Sequence, residues 1–149
     1  MAKKLRNISY ATIADCIADV ENLRRGYRAG GNWTLAQACF HLAYPLEQMA
    51  TTSGEPSAEQ KKIQGFLEAV LASGWPAETL PASKAMTPPA DAGPKAIDGF
   101  IAAAKRLAKQ PNGRVDAYIF GPVELDKLRR FVLIHAAHHL NYFEPTSEG

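Results

Sequence analysis

Apolar residues recur every three or four positions along most of the chain, and polar, Gly- and Pro-rich joints break the runs. Ile13, Ile17, Val20 and Leu23 form the first run and predict a helix over residues 12–25. Thr12 stands where a cap belongs, Asp15 follows three residues on, and Gly26 lies just past the end. The second run is Leu35, Ala38, Leu42, Leu46 and Met49, opened by Thr34 and Gln37 at capping-box spacing. Pro45 interrupts it. Proline has no N–H and its ring crowds the carbonyl four residues back, here that of His41, so a kink or an end is expected there. Ser57 and Gln60 repeat the capping box ahead of Ile63, Phe66, Leu67, Val70 and Leu71, which predicts a helix over 57–73.

Residues 75–93, "WPAETLPASKAMTPPADAG", hold four prolines and no period. They read as a long loop, and loops of this length without their own structure are uncommon and often functional. Pro94 suits a first helical position, and Ile97, Phe100, Ile101, Ala104 and Leu107 carry a helix to about residue 110. After the turn signal "PNG", Leu125, Leu128, Val132, His135 and His139 predict a last helix over residues 122–142. Only "DAYIF" alternates in the manner of a strand. The pattern predicts an all-α bundle forming a single domain over residues 1–149.

Composition narrows the function classes. A net charge of +2, with the basic residues scattered, argues against nucleic acid. No run reaches the ~18 apolar residues that a bilayer span needs. The basic opening "MAKKLR" is not followed by a long apolar stretch, so no secretory signal is read. The expectation is a soluble cytoplasmic protein without nucleic-acid or membrane partners. Cys16 and Cys39 form no CxxC pair and sit within apolar helical patterns, which predicts reduced, buried thiols.

The candidate chemistry lies in the histidines. The chain has four: His41 in "QACFHLAYP", and His135, His138 and His139 in "FVLIHAAHHL". His135 and His139 are four apart, so on a helix both imidazoles can converge on one point. His138, three from His135, points to the other side of it and could replace His139 in a pair. A catalytic zinc-type site wants three protein ligands and an open position, and only His41 remains to supply the third. A buried histidine on an apolar face is the competing reading, and spacing alone leaves the two open. The metalloprotease motif HExxH is absent, because Ala136 stands where its glutamate would be.

Three segments, "NISYATIADCIADVENL", "NWTLAQACFHLA" and "FGPVELDKLRRFVLIHAAHHL", resemble the DinB-like superfamily of four-helix bundles, also called DinB/YfiT or bacillithiol-transferase-like. The likeness is to a bacterial branch catalogued as a domain of unknown function. It implies a DinB-like four-helix bundle with a long crossover loop and room for an extra short helix. It also implies a divalent metal, zinc or nickel, on His41, His135 and His139, with a low-molecular-weight thiol as co-substrate. The chain departs from the branch where Ala117 and Tyr118 replace a His-Pro pair, and where Lys127 or Leu128 replaces a frequent tryptophan.

Two function classes follow. One is a metal-dependent thiol transferase or related enzyme acting on a small electrophile, with the catalytic residue itself not assigned. The other is a non-catalytic metal-binding or dimerising bundle. Trp33, Tyr44, Glu47, His138 and Tyr142 are candidates for the pocket around the ligands, and a homodimer is the expected assembly.

Overall fold

The computed structural model describes residues 3–76 and 84–146. The five apolar stripes become α1 (Ile13–Arg24), α2 (Leu35–Glu47), α3 (Ala58–Ser73), α4 (Pro94–Lys109) and α5 (Leu125–Leu140). Thr12, Thr34 and Ser57 each accept from the N–H three residues on, while Asp15, Gln37 and Gln60 reach back to the cap N–H. Each box satisfies two orphan donors, and the cap side chain alone contributes about 1 kcal/mol. Pro94 lies in the first turn of α4. Gly74, with φ +83°, follows α3 in a backbone conformation open to glycine.

The buried face of α4 (Ile97, Phe100, Ile101, Ala104, Leu107) packs on α1 and α2. α5 packs on α3, α1 and α2. Val20, Leu23, Leu35, Phe100, Leu107 and Leu125 are inaccessible at the centre. Cys16 and Cys39 share this core as free thiols. Burial pushes each thiol up to about 12, so they behave as small hydrophobes rather than nucleophiles.

The architecture is mostly helical but not all-α. β1 (Tyr27–Ala29) pairs with β5 (Phe143–Pro145), and β2 (Ala50–Thr51), β3 (Arg114–Ala117) and β4 (Gly121–Glu124) form a second antiparallel sheet. Pro122 therefore belongs to a strand, facing Asp116, rather than opening the last helix. α5 starts at Leu125 and ends at Leu140, inside the expected 122–142. The reason is non-local: β3 offers β4 a hydrogen-bonding edge, and such pairing overrides the propensity of a short segment. Pro45 does not end α2, which continues to Glu47. It sits near the C-terminal end, where Leu42 and Leu46 are buried on either side of it and hold the turn.

The β3–β4 turn holds Ile119 at φ +61°, rare for a β-branched residue. Gln64 Nε2 donates to the carbonyls of Phe120 (2.8 Å) and Pro122 (2.9 Å). Gly121, at φ +73°, leaves no room for a Cβ, which would collide with the Gln60 amide. These contacts from α3 impose a conformation that costs about 1–3 kcal/mol. Within the long loop, the extra short helix is a 3₁₀ turn at Lys84–Met86. Residues 77–83 of that loop lie outside the described residues. Among the described residues no helix is long and apolar enough to cross a membrane.

Candidate metal centre

α2 and α5 carry their histidines to one point. His41 Nε2 lies 3.2 Å from His135 Nε2, and His139 Nε2 lies 3.1 Å from the same atom. One ligand nitrogen from each of the three falls within 4.8 Å of the others. His41 and His135 are only 4% and 8% exposed, which places the cluster in the bundle interior. His139 is half-buried.

A carbonyl can only accept, so the 3.1 Å contact of His41 Nδ1 with the Met86 carbonyl places the proton on Nδ1. His41 Nε2 is then a lone pair aimed into the cluster. His135 Nε2 faces two other Nε2 atoms and can offer at most one proton between them. At least one of the two close contacts therefore lacks a hydrogen bond of its own. A charged imidazolium does not relieve this. Burial, then the neighbouring His41 and His138, holds His135 well below the ordinary histidine range. Burial, then His135, lowers His139, and burial lowers His41 against the opposing bond to Met86. The centre holds neutral rings with converging lone pairs, which is the donor set a divalent metal takes.

Two of the three nitrogen spacings fit that group. Zn–N bonds of about 2.0–2.1 Å at tetrahedral angles separate ligand nitrogens by roughly 3.3 Å. The observed 3.1 and 3.2 Å about His135 are close to that, and the His41 and His139 nitrogens lie within 4.8 Å of each other. Among the described residues no carboxylate or thiolate joins the cluster, so the ligand set is neutral. The bond from His41 to Met86 fixes that ring's tautomer and plane, as outer contacts do for metal-ligating histidines.

The family model for a protein of unknown function, DUF1569, matches residues 2–146. The chain belongs to this family. No curated protein and no solved structure matches it. The DUF1569 match extends over His41, His135 and His139 alike, so the whole cluster lies inside the family's domain.

Around this cluster, Trp33 stacks on His139 (5.6 Å between centroids, 22°) and tilts against His41 at 5.1 Å. His138 is not in the cluster. Its ring lies edge-on to His139 at 4.8 Å, its Nδ1 has no partner among the described residues, and burial lowers it to about 4. Tyr142 lies edge-on to His138, with 6.2 Å between ring centroids. Tyr44 packs edge-on to Tyr118 rather than on the histidines. Glu47 is exposed at the end of α2 and makes no contact with the cluster.

Two contributors were not read from the sequence. Trp75 stacks flat on His135 (4.7 Å, 15°) and on His138 (5.1 Å, 21°). Met86 supplies the carbonyl for His41. Both belong to the Pro-rich segment 75–93, whose length was the only signal that it serves a function.

Proposed function

We propose that the chain is a DinB-like, metal-dependent four-helix-bundle protein that joins a low-molecular-weight thiol to a small electrophile. The observation that carries this reading is the convergence of three neutral ring nitrogens with too few protons to bond one another. His41, His135 and His139 would hold zinc or nickel. Such an ion, on three neutral ligands, keeps its charge and lowers the pKa of a thiol or water that it binds. The chain's own part is to orient and to exclude water. Met86 sets the plane of His41, Trp75 covers a face of His135, and Trp33 covers His139. Covering these rings lowers the local dielectric and strengthens the pull of a dipositive centre on an anionic nucleophile.

Elemental analysis of the purified protein is expected to find about one zinc or nickel per chain, lost in His135→Ala. A screen following thiol consumption with small electrophiles is expected to show turnover that chelation removes. No bound divalent metal after reconstitution would sink the reading. Metal that raises thermal stability without turnover on any thiol would favour the non-catalytic bundle instead.

A further inference from the structure

α2 and α5 run antiparallel past each other, so the turn after His41 meets the turn before His135. There they do not close. A cavity of ≈ 30 Å³ remains between Leu42 and Leu46 on α2 and Leu128 and Val132 on α5, and the His135 ring forms part of its wall. Ala117 and Phe120 of the β3–β4 hairpin also line it. That volume accepts a water-sized group, but apart from Tyr118 and His135 the lining side chains are carbon, so apolar atoms are its better occupant. The wall is rigid. Gln64 ties down the carbonyls of Phe120 and Pro122, and the turn between Ala117 and Phe120 is held with Ile119 in its left-handed conformation. Strained backbone of this kind persists where the surroundings over-determine it, and it concentrates at ligand-binding sites.

We infer that this cavity is a specificity pocket for a short unbranched alkyl group on a ligand whose head sits at the histidine centre. The inference rests on the metal reading above, because His135 belongs to both the cluster and the cavity wall. Antiparallel packing puts the two about one helical turn, ~5.4 Å, apart along the axis. A ligand with a metal-seeking head and a short tail spans that distance, and one with a bulky or charged tail does not fit an apolar wall of this size.

The test titrates cobalt-loaded protein with ethanethiol, propanethiol, butanethiol and hexanethiol and follows the sulfur-to-cobalt charge-transfer band. Affinity is expected to rise roughly fourfold per methylene until the pocket is full, then level off. Ala117→Leu fills the pocket and should erase that gain while cobalt content stays at the wild-type level. Leu128→Ala enlarges it and should move the plateau to longer tails, which keeps the test alive if the first variant folds poorly. Cobalt bound, with the same chain-length dependence in wild type and both variants, overturns the pocket and leaves the metal reading standing. A protein that takes up no cobalt overturns both.

Discussion

Two polar clusters meet near the C-terminal end of α5, and they are built on opposite principles. In one, Arg6 makes a two-pronged ion pair with Asp19 (2.8 and 2.9 Å) and also donates to the Leu140 carbonyl at 2.9 Å. Tyr10 donates to the same carboxylate at 2.5 Å. Beside it, Asn141 both accepts from the Ile8 N–H and donates to the Ile8 carbonyl, at 2.9 Å each. Opposite charges meet and nearly every group has a partner, Arg6 Nε excepted. In the other cluster, His41, His135 and His139 bring together three like groups that cannot satisfy one another. One buried network is nearly complete and its neighbour is short of protons, which is the contrast the metal reading rests on. Burying polar groups costs free energy unless they are bonded, so the first cluster stabilises the fold as it stands, while the second carries an uncompensated cost that a bound metal would remove.

Removing one member from each cluster should break the comparison most sharply. His135→Ala is expected to abolish metal binding, read by elemental analysis, because it deletes the nitrogen that faces both others. A chelator should then no longer shift the melting temperature, whereas in the wild type ligand held at 100 times its Kd contributes about 2.7 kcal/mol. Next in size, Asp19→Ala leaves the Arg6 guanidinium, 14% exposed, with no carboxylate. Denaturant unfolding should show a loss of about 3 kcal/mol. Its metal content should stay near wild type, and loss of metal here would mean that the two clusters are one unit.

Acid should act on the histidine cluster in a defined direction. Its rings are held below their unfolded pKa, so the unfolded chain binds more protons once pH falls under about 6.5. Metal-free protein is therefore expected to be fully stable above that value and to weaken as pH drops, by at most about 1.4 kcal/mol per pH unit for each imidazole. For His138 the loss runs from about 6.5 down to about 4. Denaturation curves at pH 7.5 and 5.5 check this, and His135→Ala should flatten the difference. The smallest effect is expected from Asn141→Ala. It removes two bonds to Ile8, whose backbone water can reach, and should cost about 1 kcal/mol in the same assay.

How far the site could be read without coordinates depends on how local each part is. The starts of α1, α2 and α3 were legible because a capping box spans four residues, and Thr12, Thr34 and Ser57 all behave as their neighbours require, whereas α5 has no such box. The i, i+4 relation of His135 and His139 was legible because helical geometry alone enforces it. The β3–β4 hairpin was only glimpsed in "DAYIF", since a strand's identity depends on a partner elsewhere. Of the residues named for the surrounding pocket, Trp33 touches two of the clustered rings, whereas Tyr44 packs on Tyr118 and Glu47 is exposed.

From its residues alone this protein is a helical domain with three capping boxes, buried thiols and histidines in two places. Those properties follow from rules that act over a few positions. Tertiary structure decided that His41 crosses 94 residues of chain to face His135, and that the Met86 carbonyl meets its Nδ1. It also decided that Trp75 seals one side and that α2 and α5 fail to close beyond the cluster. Each of these depends on packing between distant elements, where side-chain shape and burial, rather than local periodicity, set the outcome.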